Sequence, residues 1–279
     1  MTIPSPTESL LQWHLLMGVD ETIGDSPKNW FEPTPAIEPA QMLQAATIEP
    51  APTSAPIEHT EKTSAPSPAM LATHSAMQAA RIAADSASSL GALNDIIRAF
   101  DGCPLKTSTT KTVVMDGNLA AKILLIGDAP DADDDEKCLP FGGQSGALLD
   151  KMLGAIGWSR DTCLITNIVY WRASNNRQPS PDETLICKPF VEKFIELMDP
   201  ELIVVIGGTA AKAMLGTDLG ISKLRGKTYS YLHPKTLKTY TACAIFHPSY
   251  LLRQPAYKRQ TWQDLLMLRN LINDPKIPA

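Results

Sequence analysis

The segment Lys122-Ile123-Leu124-Leu125-Ile126-Gly127-Asp128-Ala129-Pro130 is an apolar run that stops at a polar loop, and its reading decides the fold. Two later segments repeat the pattern: Cys163-Leu164-Ile165-Thr166-Asn167 and Ala242-Cys243-Ala244-Ile245-Phe246-His247-Pro248. Short runs that are apolar throughout, rather than alternating, read as strands covered on both faces. Strands are predicted at 122–127, 164–169, 201–206 and 241–246, and helices at 145–156, 181–198, 209–215 and 258–272. Ser180 followed by Asp182 and Glu183 marks the start of the second of these helices. Alternating strand and helix implies an α/β fold, a three-layer α/β/α sandwich around a four-stranded parallel sheet. Ligands of open α/β sheets bind beyond the carboxyl ends of the strands. Asp128, Phe141, Asn167 and His247 are therefore expected in one cleft, and together they suit a flat, polar ring.

The apolar material is unevenly spread. Residues 100–279 hold nearly all the strand-like runs of a chain that is 44% hydrophobic. Residues 1–25 contain Ser9-Leu10-Leu11-Gln12-Trp13-His14-Leu15-Leu16-Met17, read as a short helix that either docks on the domain or binds a partner not identified by its residues. Residues 26–70 are rich in Pro, Ala, Thr, Ser and Glu, the composition of a disordered linker. The domain is expected over 71–279, entered through a helix at 70–100 with Leu90, Leu93, Ile96, Ile97 and Phe100 at helical spacing. The formal charge of −5 hides a split, with residues 1–99 at net −7 and residues 100–279 at net +2. An acidic overall balance therefore does not exclude a polyanionic partner.

Five cysteines, an odd number, follow a start that lacks a secretory pattern, which argues against a secreted disulfide framework. No apolar stretch reaches the ~18–20 residues of a membrane span. The expectation is a cytoplasmic monomer with no membrane contact.

The acid run Asp131 to Glu136 reads either as a solvated loop or as a divalent-cation site for phosphoryl chemistry. The second reading lacks a glycine-rich phosphate loop anywhere in the chain. Phe141 stands between Pro140 and Gly142-Gly143, where a ring lies over a ligand more readily than in a core. Asn167 offers the acceptor and donors that pair with a carbonyl and its adjacent imide N–H, or else an Asx turn at the strand end.

Taken together, Gly127-Asp128-Ala129-Pro130-Asp131, Pro140-Phe141-Gly142-Gly143, Thr166-Asn167, Asn175-Asn176-Arg177-Gln178-Pro179 and His247-Pro248-Ser249-Tyr250-Leu251-Leu252-Arg253 resemble, in order, the motifs of the family 4 uracil-DNA glycosylases. The resemblance spans 100–272. It implies a DNA-repair enzyme that flips uracil from DNA and hydrolyses its N-glycosidic bond, leaving an abasic site. It implies that uracil stacks on Phe141, is read by Asn167, and is stabilised as a leaving anion by His247. Asp128 and the Ala129 backbone would hold the attacking water, and Asp134 would lie near C5 of the base and help exclude a methyl group. Leu252 would fill the vacated stack, while Arg225, Lys227, Arg253 and Lys258 are phosphate-contact candidates.

Family members ligate a [4Fe–4S] cluster through four cysteines, at positions that read Phe100, Cys103, Trp171 and Cys187 here. Two thiolates do not replace four, so no cofactor is expected, and Phe100 with Trp171 should pack as an aromatic plug. Asp128 stands in place of the family's Glu and Asp131 in place of its Gly, which leaves two other readings. One is a DNA-binding protein that keeps the fold without the chemistry; the other is a metal-dependent nucleotide hydrolase.

Overall fold

The computed structural model describes residues 68–273 except 110. The N-terminal helix expected at 9–17 and nearly all of the linker expected over 26–70 lie outside the described residues. The first described helix, α1 (Pro68–Asp85), begins inside the expected linker, and α2 (Leu90–Ala99) follows. The single helix expected at 70–100 is therefore two. The break falls where Ser89 leaves helical geometry and its hydroxyl accepts the Ala92 N–H at 3.2 Å, starting α2 with a side-chain cap.

Four strands form the parallel core: β2 (Ile123–Gly127), β3 (Cys163–Asn167), β4 (Leu202–Ile206) and β6 (Thr239–Ile245). Two short strands, β1 (Met115–Gly117) and β5 (Thr228–Leu232), extend it at the edges, giving the order β1-β3-β2-β4-β6-β5. Both edge strands run antiparallel to their neighbours. The sheet is thus six-stranded and mixed around the expected parallel four.

Every residue of β2, β3 and β4 is buried, as their apolar runs require. Side chains alternate between two core layers. Leu124, Ile126, Leu164, Ile203 and Val205 pack on one face, with α1, α2, α5 (Pro181–Met198) and α6 (Gly208–Leu215). Ile123, Leu125, Ile165, Leu202 and Val204 pack on the other, with α4 (Gln144–Gly154) and α9 (Lys258–Asn273). Three further short α-helices are α3 (Ala132–Lys137), α7 (Ile221–Leu224) and α8 (Pro248–Arg253), and 3-10 turns lie at Pro104–Ser108, Ser174–Asn176 and Pro255–Tyr257.

The parallel register places Gly127 directly opposite Asn167. From β2 the chain passes to β3 on one side and then to β4 on the other. The strand order therefore switches direction at β2, and the ends of strands at such a point are the usual ligand position in open α/β sheets.

Candidate active site

Gly127 and Asn167 form the floor of the cleft. Asn167 is 1% exposed, and its amide nitrogen has no hydrogen-bond partner. A buried donor without a partner costs about 1–3 kcal/mol, which a ligand acceptor would recover. Gly127 is required by close approach: a Cβ there would lie 2.3 Å from Asn167 Oδ1 and 2.7 Å from the Phe141 ring.

The acid run is neither a loose loop nor a cluster of free carboxylates. It folds as α3, with Asp131 as N-cap accepting the Asp134 N–H at 3.0 Å and Asp134 reaching back to the Asp131 N–H. Asp134 Oδ1 also accepts the Gly142 N–H at 2.6 Å. Burial pushes its carboxyl up to about 6, with the nearby Asp131 charge adding to the effect. Its oxygens are thus engaged by the backbone amides of Asp131 and Gly142. Ala129 is half-buried and packs against the core layer that holds α5.

Asp128 begins the first loop and reaches across to the start of α6, where Oδ1 accepts the Ala210 N–H at 2.7 Å. Burial raises its carboxyl to about 6 although the Ala210 and Thr209 amides favour the anion. Gly207, at φ 111°, lets the β4–α6 turn pass close beneath this carboxylate: a Cβ there would lie 2.3 Å from Oδ2. At neutral pH Asp128 is an anion with one oxygen fixed by the helix start.

Phe141 is buried and adopts φ 54°, a conformation seldom taken by an aromatic residue. Its ring stacks on His247 with centroids 5.3 Å apart and planes 25° from parallel. That contact leaves no gap for a third ring between them.

His247 is the N-cap of α8, and its Nδ1 accepts the Ser249 N–H at 3.2 Å. Ser249 Oγ lies 2.8 Å from the same nitrogen. An Nδ1 that accepts a backbone N–H carries no proton, so the ring proton sits on Nε2. Burial lowers the imidazole to about 4, with Asp131 opposing and Arg253 reinforcing the shift. At neutral pH His247 is a neutral Nε2–H donor.

Beyond the cleft, Leu252, Arg253 and Lys258 are exposed on α8 and the start of α9, and Lys227 is exposed before β5. Arg225 departs from the expectation of a free phosphate contact. Its Nε and Nη2 bind both carboxylate oxygens of the buried Asp264 at 2.7 and 2.6 Å, and its guanidinium lies 5.6 Å from the centre of the Phe246 ring. Arg225 therefore braces α9 against the sheet.

At the positions where the family carries cluster cysteines, Cys103 and Cys187 are buried with sulfurs 4.0 Å apart. Phe100 and Trp171 pack with ring centroids 6.5 Å apart, and Phe190 meets Phe100 edge-on at 5.1 Å. Trp171 Nε1 donates to Thr112 Oγ1. The expected aromatic plug is present, and these residues do not fit a cluster that takes four thiolates. Among the described residues, no group of three or more His, Cys, Asp or Glu could hold a metal ion, and no helix is long and apolar enough to cross a membrane.

Motif reading did not find Arg160, Thr209, Ala210 or Ser249. Their contributions are backbone amides or contacts between distant loops, which leave no local signature.

The family model described as the Uracil DNA glycosylase superfamily matches residues 114–266. The type-4 uracil-DNA glycosylase of Thermotoga maritima is 35% identical over 162 residues, covering 58% of this chain and 82% of the relative. That of Archaeoglobus fulgidus is 34% identical over 186 residues, covering 64% and 92%, and that of Pyrobaculum aerophilum 31% over 184 residues, covering 63% and 90%. With a family match over more than half its length, and a cleft that sets an unpartnered Asn amide near a neutral His donor, the chain belongs to the uracil-DNA glycosylase superfamily, among its type-4 members.

Proposed function

We propose that this protein removes uracil from DNA by hydrolysing the bond between C1′ of the deoxyribose and N1 of the base. The observation that carries the reading is the buried, unpartnered Asn167 amide beside Phe141, in the cleft that also holds the neutral His247 ring. A flipped uracil lies on Phe141 and presents O4 and N3–H to the Asn167 amide. As the C1′–N1 bond lengthens, its electron pair passes to the uracil ring and negative charge builds on O2. A neutral Nε2–H of His247 stabilises that charge by hydrogen bonding without a proton leaving the ring. The sugar becomes oxocarbenium-like, as in other glycosyl hydrolyses. Water held by the Asp128 carboxylate and the Ala129 backbone attacks C1′ and passes a proton to Asp128.

On this reading Leu252 occupies the emptied stack, and Lys227, Arg253 and Lys258 contact phosphates. The enzyme acts as a monomer on uracil-containing DNA in the cytoplasm.

The test is incubation with single- and double-stranded oligonucleotides carrying one uracil, in chelator. Free uracil and an alkali-labile abasic site are expected from both. Strand cleavage without an abasic intermediate, or activity only with added magnesium, would overturn the reading.

A further inference from the structure

We propose that Arg160 is the positioning residue that fixes the Phe141 ring for stacking on the flipped base, an inference that rests on the glycosylase reading above. Arg160 lies in the turn between α4 and β3, far in sequence from the Phe141 loop. Its Nη2 donates to the Phe141 carbonyl at 2.8 Å, and its Nη1 donates to the Pro140 carbonyl at 3.2 Å. The guanidinium is itself anchored, through Nη1 to Asp116 on β1 at 2.5 Å and through Nε to Asp150 on α4 at 2.9 Å. Its side chain is 22% exposed, so the contacts with Asp116 and the two carbonyls are largely sheltered from water, while Asp150 is half exposed.

The turn it holds cannot hold itself. Phe141 sits at φ 54°, which costs of order 1–3 kcal/mol for a non-glycine residue and persists only where the surroundings impose it. Four backbone groups of this turn are held by side chains. Arg160 takes the carbonyls of residues 140 and 141, Asp134 takes the Gly142 N–H, and Lys137 takes the Gly142 carbonyl at 2.7 Å. Gly146 completes the seat, since a Cβ there would lie 1.6 Å from the Phe141 oxygen. Of these groups only Arg160 ties the turn to the sheet, through Asp116, and so sets the ring relative to Asn167 on the neighbouring strand β3. A planar fork with five donors can bridge two successive carbonyls and two carboxylates at once, which an ammonium cannot.

The experiment uses the full chain and an oligonucleotide with one uracil, comparing wild type, Arg160→Met, Arg160→Lys, Phe141→Ala and the double variant Arg160→Met/Phe141→Ala. Single-turnover rates at saturating enzyme and half-saturating concentrations are measured below each variant's melting temperature. Misplacement of the ring by about an ångström predicts a ~10–10²-fold lower saturated rate in Arg160→Met. Half-saturation should stay within about threefold, and Arg160→Lys should recover part of the rate, as a single donor can. If Arg160 acts through the ring, Arg160→Met costs no more than about twofold in the Phe141→Ala background. Equal losses in both backgrounds would overturn the proposal.

A second readout does not depend on catalysis. The chain has six phenylalanines, so 4-fluorophenylalanine labelling gives few resonances, and Phe141→Leu identifies the one of interest. That resonance should move in Arg160→Met and partly return in Arg160→Lys; an unmoved resonance would refute the positioning role. If Phe141→Ala retains the wild-type rate, the base-stacking reading of Phe141 falls, and the fluorine signal still decides whether Arg160 places the ring. Should Arg160→Met fail to fold, Arg160→Lys carries both readouts.

Discussion

Gly127→Ala adds one methyl group to the most crowded point of the cleft. The new carbon would sit 2.3 Å from Asn167 Oδ1 and 2.7 Å from the Phe141 ring, where ordinary contact begins at 3.4 Å. With the backbone fixed, Asn167 Oδ1 must therefore retreat by about 1.1 Å and the Phe141 ring by about 0.7 Å. Gly127 is a β2 residue without a left-handed backbone, so the substitution carries no conformational penalty that would blur the result. Overpacking of a tight interior costs roughly 1–3 kcal/mol, so the variant should fold with a lowered melting temperature. A displacement near 1 Å in groups that orient the reacting base costs about 10²-fold in rate. The assay is single-turnover release of uracil from a duplex oligonucleotide, scored by alkaline cleavage at the abasic site, with melting followed by circular dichroism. A saturated rate within about threefold of wild type, in a variant of lowered stability, would refute the claim that the Gly127–Asn167–Phe141 contact sets the position of the base.

Other outcomes follow from the same geometry. His247→Ala should lower the saturated rate by ~10²–10³-fold, the scale for removing one donor to a developing anion, and single-turnover kinetics decide it. The Asp128 carboxyl, raised to about 6, is ionised above that pH and protonated below it. Uracil release should therefore be full at pH 7–8 and fall as pH drops through about 6; His247, near 4, stays neutral across that window. The pH profile of Asp128→Asn should lack this limb, and its persistence would assign it to Asp134. Arg225→Ala leaves Asp264 buried without its cation, so a loss of ~3–5 kcal/mol in urea denaturation is expected, with the salt dependence of DNA binding unchanged. Arg253→Ala should instead leave stability intact and reduce the salt slope by about 1.

The strands were legible because a strand covered on both faces must be apolar throughout, and β2 and β4 are. The two edge strands were not. β5 reads Thr-Tyr-Ser-Tyr-Leu with one buried residue, so it carries no continuous apolar run, and three-residue β1 is too short to show a period. That Asn167, Phe141 and His247 lie close together was legible because Asn167 ends β3, His247 comes soon after β6 and Phe141 stands before two glycines. The backbone contacts of Asp134 were not, because the N-cap that folds the acid run into a helix also turns its carboxylate onto the backbone. Arg225 misled in the opposite sense. A basic residue in a polar loop looks free until its partner Asp264, 39 residues away, is brought beside it by α9.

Which nitrogen of His247 carries its proton is set by the main chain. Its Nδ1 faces an amide hydrogen supplied two residues later by the first turn of α8, and every amino acid except proline provides that hydrogen. Position 249 can therefore vary in side chain without exchanging the donor nitrogen for an acceptor, whereas a proline there would let the ring present either face of its chemistry to the base. Of the nineteen possible replacements at 249, eighteen keep that hydrogen, although each gives up the Ser249 hydroxyl contact or replaces it.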